Sequence, residues 1–150
     1  MKTVFSAETA AELTSRINRL TPETKQVWGK MSVAQMLAHC NVSYEMIYTD
    51  IHPKPNAMLR LVLQLLVKNK VVSEKPYTQS LRTAPQFIIT SDKNFELEKQ
   101  RLIDFVNQTQ QLGALHFEGK ESHSFGKLSS HEWNNMLYKH LDHHLKQFGV

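Results

Sequence analysis

Three histidines fall within five residues near the C-terminus: His140, His143 and His144. Imidazole is both a divalent-metal ligand and a proton carrier near neutral pH. At about 100° of turn per residue, His140 and His144 lie on one side of a helix, in the middle of an apolar stripe made by Trp133, Met136, Leu137, Leu141 and Phe148. Asp142 and Lys146 point the opposite way, and His143 sits at the stripe's edge beside Met136. Two imidazoles buried in an apolar stripe are costly unless each is hydrogen-bonded or coordinated. The i, i+4 spacing lets both meet a single metal ion. The competing reading is a pair of core histidines satisfied by backbone carbonyls or water.

A metal on two histidines needs a further ligand. The remaining candidates are His39, His52, His116, His123 and His131. Only His39 lies inside a long predicted helix, about 100° from the centre of that helix's main apolar stripe. Val42 and Met46 make its second face apolar as well, so residue chemistry alone leaves coordination by His39 open. Cys40 could be a soft ligand or nucleophile, or a small buried hydrophobe. His131 belongs to a first helical turn and is expected to be exposed, while His116 and His123 fall in a loop that could wall a pocket. No carboxylate is obviously placed as a general base, since Glu132 is claimed by a helix cap and Asp142 faces away. Gln35, Tyr44, His143 and Gln147 are the candidate pocket residues, each with packing or surface exposure as the alternative.

The elements that must position these residues are legible as helices. Ser6 caps a helix over 6–20, with Ala10, Leu13, Ile17 and Leu20 on its apolar face. Thr21-Pro22-Glu23 predicts a short helical turn, broken by Gly29. A capping-box pattern from Ser32 to Gln35 opens a helix over 32–49, which His52-Pro53-Lys54-Pro55 closes. An apolar helix follows over about 57–70. Residues 71–90 read as an irregular connection with Phe87-Ile88-Ile89-Thr90 extended. A further helix spans about 94–112 and stops at Gly113; residues 114–128 read as a loop. Ser129 and Glu132 form a second capping box for a helix over 129–148. The expected fold is all-α, an antiparallel four-helix bundle with long connections, in one domain over 1–150.

Composition narrows the function classes. Five Gly and five Pro in 150 residues are too few for a turn-rich sandwich or barrel. The one cysteine excludes an intrachain disulfide and suits a reducing cytoplasm. The net charge of +4 is scattered, with Lys68–Lys70 its densest patch, so no nucleic-acid partner is expected. The most apolar stretch, 57–67, is interrupted by Arg60 and Gln64 and falls short of the roughly 20 residues of a span. No membrane partner is expected, and the Met1-Lys2-Thr3 start has no apolar core of signal-peptide type.

Two motifs carry a resemblance. Met36-Leu37-Ala38-His39 and the closing His140-x-x-His143-His144-x-x-Gln147 resemble the DinB-like superfamily of small bacterial four-helix-bundle proteins. Many of these bind a divalent metal through one histidine on the second helix and a His-x-x-x-His pair on the last. The resemblance implies His39, His140 and His144 as ligands, with His143 at a position commonly histidine but not ligating. The tail from Phe125-Gly126 through Trp133 to Lys139-His-Leu-Asp-His-His-Leu-Lys-Gln-Phe-Gly149 is similar to a branch known only as a domain of unknown function. The likeness covers almost the whole chain and is weakest over 51–90. It implies zinc, nickel, iron or manganese as the metal. It also implies a small-molecule substrate, with thiol transfer or hydrolysis as the reaction and a low-molecular-weight thiol as a partner, and a homodimer is plausible. The alternative is a non-enzymatic metal- or ligand-binding bundle in which the histidines are structural.

Overall fold

Every long helix opens on a side-chain cap that the sequence supplies. Ser6 accepts from the Thr9 amide at the start of α1 (Ala7–Asn18). Ser32 and Gln35 form both arms of a capping box on α2 (Val33–Tyr48). Asn56 caps α3 (Ala57–Leu66), and α4 (Lys68–Val72) follows directly. Asn94 caps α5 (Phe95–Phe117). A hairpin of β1 (Lys120–Ser122) and β2 (Gly126–Leu128) leads to α6 (Ser130–Gln147), which opens on the Ser129–Glu132 capping box. Each such cap satisfies amides that the first turn leaves without partners, worth about 1 kcal/mol. This computed structural model describes residues 1–81 and 83–150; Arg82, inside the predicted 71–90 connection, lies outside the described residues. The chain is mostly helical, with six helices and one small antiparallel sheet among the described residues.

Five expectations need correction. Thr21-Pro22-Glu23 is a turn, not a helix: the Thr24 hydroxyl accepts from the Thr21 amide at 2.9 Å and closes the chain locally, the usual way Ser and Thr compete with helix. Residues 57–70 form two helices parted at Val67. Phe87 belongs to a 3₁₀ turn, Pro85–Phe87, and not to an extended run; proline at its first position supplies the required φ. Gly113 does break the helical path, with φ 71° and ψ 169°, but the chain resumes helix as far as Phe117. Beyond it the predicted loop is the hairpin, pairing Lys120 with Leu128 and Ser122 with Gly126. The all-α expectation therefore holds except for these two three-residue strands.

The core joins Leu13 and Ile17 of α1, Met36, Leu37, Cys40 and Tyr44 of α2, Leu102 and Val106 of α5, and Leu137, Leu141 and Leu145 of α6. Burying each large side chain contributes roughly 1.5–3 kcal/mol. A second cluster, Val72, Phe117, Leu128 and Trp133, seats the hairpin and α4 on the start of α6. α2 packs along α5, and α6 packs against α1, α2 and α5. Asp142 lies off the apolar stripe but is not free in solvent. It accepts from Arg16 Nη1 of α1 at 2.8 Å and pairs with Lys146 at 2.8 Å. No helix among the described residues is long and apolar enough to cross a membrane.

Candidate metal centre

α2 and α6 bring three histidines together. His39 sits in α2, on the turn after its capping box; His140 and His144 stand one turn apart on α6. One nitrogen from each lies within 4.8 Å of the others. The His39 and His140 Nε2 atoms are 3.0 Å apart. The His39 ring centroid is 4.5 Å from that of His144 and 5.0 Å from that of His140. His39 and His144 are buried, and His140 is half-buried. Among the described residues no other His, Cys, Asp or Glu joins the cluster.

The far side of each ring is tethered, and the tethers of His39 and His144 fix their protons. His39 Nδ1 lies 2.8 Å from the Phe87 carbonyl oxygen. A carbonyl only accepts, so Nδ1 carries the hydrogen and Nε2 presents a lone pair. His144 Nδ1 lies 2.8 Å from Gln147 Oε1. Gln147 Nε2 donates to the Trp28 carbonyl at 2.8 Å, which sets the amide's orientation, so His144 Nδ1 donates and its Nε2 is also a lone pair. His140 Nδ1 lies 3.0 Å from the Ser43 hydroxyl, which can donate or accept. His140 Nε2 therefore donates to His39 and its Nδ1 accepts from Ser43. To hold a divalent ion His140 would take the other tautomer, with Nδ1–H donated to the same Ser43 hydroxyl, and three imidazole lone pairs would then face one point, as in metal-ligating histidines with tethered second nitrogens.

Charge agrees with this. Burial holds the His39 imidazolium below its usual range against the opposing pull of the Phe87 carbonyl. Burial and the neighbouring imidazoles hold His140 well below it. His144 is pushed down to about 3 by burial first and by His39 second. All three are neutral at pH 7, the form a metal requires. The donor set fits a borderline divalent ion such as zinc, nickel or iron. A tetrahedral ion with metal–imidazole bonds of about 2.1 Å spaces its nitrogens about 3.4 Å apart, so the three nitrogens, spread within 4.8 Å, would draw together to hold one.

The loop before α2 and the connection before α5 complete the site. Phe87 lays its ring 5.3 Å from that of His39 and 5.7 Å from that of His140, so the 3₁₀ turn covers the triad as well as tethering it. Val27 N donates to the Gln147 carbonyl at 2.8 Å, pinning residues 27–29 on the end of α6. Gly29 has φ +86°, and a Cβ there would lie 2.4 Å from Gln147 Nε2. Only glycine meets both conditions without strain.

The other predicted site residues divide. Gln147 serves the triad. His143 lies between Trp28 and Tyr77, its ring centroid 5.7 Å from each and 5.1 Å from that of His144. It lines a cavity of about 220 Å³ with Trp28, Tyr77, Tyr138 and Lys139. Gln35 is spent on the capping box, its Oε1 accepting from the Ser32 amide at 3.0 Å. Tyr44 is buried in the main core and stacks on Phe105 at 5.6 Å. Cys40 is fully buried, donates to Met36 Sδ at 3.7 Å, and burial pushes its thiol far up, so it is a core residue and no thiolate nucleophile. His52 pairs with Glu45 at 2.7 Å, Lys120 Nζ donates to His116, and His131 is exposed. His123 is buried in the hairpin turn beside Ser124.

Sequence reasoning missed Ser43, Phe87 and Trp28. Ser43 was findable, lying four residues after His39 on the same face of α2. Phe87 and Trp28 act through backbone carbonyls, which no side-chain spacing reveals. No curated protein and no solved structure matches the chain. A family model does match, over residues 4–149, and the chain belongs to that family, the proteins of unknown function DUF1569.

Proposed function

We propose that this chain is a metal-dependent enzyme of the DinB-like kind, a four-helix bundle of α1, α2, α5 and α6, acting on a small molecule in the cytoplasm. The observation that carries the reading is the convergence of the three imidazoles of His39, His140 and His144, each tethered on its far nitrogen. A divalent ion held by three neutral imidazoles keeps its full charge and an open position, so when bound it supplies Lewis acidity towards a water, a thiol or a carbonyl.

The chain's own residues do the rest. The Phe87 and Gln147 tethers keep His39 and His144 in the ligating tautomer. Phe87 shields His39 and His140 from water. His143, Trp28 and Tyr77 form an aromatic wall beside His144, where an organic substrate can lie against the rings. Lys139 lines the same cavity, but its ammonium, 4.6 Å from the Tyr77 ring centroid, is spent on the Lys70 and Ser73 carbonyls and so serves to hold that wall. Thiol transfer and hydrolysis are the two reactions this set suits, with a low-molecular-weight thiol as the first substrate to test.

A purely structural metal is closed by a fourth protein ligand. Cys40 is buried against Met36, and among the described residues neither it nor His143 joins the three-histidine cluster; this supports the enzymatic reading over the staple. The test is a panel of thiol-transfer and ester- or amide-hydrolysis assays on chelated and metal-reconstituted protein. Turnover that returns with the metal and is absent from His144→Ala supports the proposal. A loaded protein that turns over nothing, yet melts higher than the chelated form, supports the structural staple.

A further inference from the structure

α3 is turned inside out. Its polar residues face the body of the protein: Arg60 pairs with Glu121 of β1, and the Gln64 amide lies against Gly126 of β2. Its apolar residues face water. Met58 is 79% exposed, Leu65 72%, Leu66 69%, Leu61 55%, Leu59 48% and Val62 44%. No residue of this helix is buried. At about 100° per residue the six side chains form one arc of about 160°. Apolar residues scattered singly on a surface need no explanation, but a contiguous apolar face marks a docking site.

Charge selects the occupant. At 44–79% exposure the six side chains offer on the order of 400 Å² of apolar surface, comparable to the apolar share of one side of a standard protein interface, so size alone admits a second copy as well as a lipid surface. The flanks are basic: no acidic residue falls between Asp50 and Glu74, whereas Lys54, Arg60, Lys68 and Lys70 do. Arg60 and Lys68 are held by Glu121 and Glu132, while Lys54 and Lys70 stand exposed beyond the two ends of α3. Pairing α3 with its own copy would bring lysine to lysine at both ends. An anionic lipid surface accepts both features, taking the apolar arc at the acyl boundary and the lysines at headgroup level. Ten residues are too few to span a bilayer, so the helix lies in the interface plane.

We infer that α3 seats the protein on anionic phospholipid membranes. The sequence-based expectation of no membrane partner rested on the lack of a span, and a surface helix needs none. The experiment is cosedimentation of the full chain with vesicles of phosphatidylglycerol and phosphatidylcholine, and with phosphatidylcholine alone. Binding to the anionic vesicles at low salt is expected to be at least about tenfold stronger than to the neutral ones. Leu65→Glu, at an exposed position that leaves the melting temperature unchanged, lowers it at least about tenfold. Lys54→Glu with Lys70→Glu lowers it too, as does high salt. A wild-type chain that stays in the supernatant overturns the inference, and so does a Leu65→Glu variant that binds like wild type. If that unbound chain is a dimer by sedimentation equilibrium and Leu65→Glu is a monomer, a second copy covers the face.

Discussion

Gln147 holds His144 by a relay: its Oε1 accepts the His144 Nδ1 hydrogen at 2.8 Å, and its Nε2 donates to the Trp28 carbonyl at 2.8 Å. The amide cannot flip without losing both bonds, so the loop before α2 dictates which nitrogen of a helix-six histidine faces the triad.

Replacing Gln147 by Leu keeps the shape and removes the relay. His144 Nδ1–H and the Trp28 carbonyl lose their partners, and the imidazole is free to take the other tautomer. Metal affinity is expected to fall about 10–100-fold, read by competition against a chromophoric chelator. The far-ultraviolet circular dichroism should be unchanged. An unchanged affinity would remove Gln147 from the site.

Gly29→Ala tests the same relay from the loop side. A Cβ at φ +86° is strained in itself, about 1–2 kcal/mol, and it collides with Gln147 Nε2. Denaturant unfolding should show a loss of that size or more in wild type. The loss should shrink in a Gln147→Ala background, where only the backbone strain remains. Equal losses in the two backgrounds would mean that Gly29 is required for its backbone alone.

Glu132 makes a pH prediction away from the metal. Burial pushes its carboxyl up, but the Lys68 ammonium at 2.9 Å and the Ser129 amide outweigh burial and hold it below its usual range. A carboxyl lowered by folding stabilises the protein above its unfolded value of about 4.3, and that contribution is lost as pH falls through the folded value. Glu132→Gln should therefore cost about 1 kcal/mol at pH 7. By urea unfolding, the gap between variant and wild type should close as the solution is taken below pH 4. A gap that persists in acid would assign the loss to packing.

Much of this was legible in the sequence because caps and helical stripes are local. Ser6, Ser32 and Ser129 mark helix starts by chemistry confined to one turn. The position of His140 and His144 followed from the stripe they interrupt. Gln35 looked like a pocket residue because its spacing from His39 puts both on one face of α2, but its Oε1 closes the capping box and its Nε2 points to the Ser91 carbonyl. Tyr44 was misread because a tyrosine on an apolar stripe looks the same whether it packs on a core ring or lines a cavity, and here Phe105 takes it. The apolar character of residues 57–67 was legible, but composition alone does not say which side of a helix the protein lies on. The hairpin was hidden because three-residue strands carry too few alternations to register.

Metal content tests the central claim most directly. Protein purified without a nickel column, incubated with zinc, nickel, iron and manganese in turn and desalted, should hold close to one equivalent of at least one of them. His140→Ala should hold none while remaining helical. Stoichiometric metal retained by His140→Ala, or no metal on wild type under any of these conditions, would contradict the account and leave the three imidazoles as a hydrogen-bonded core cluster.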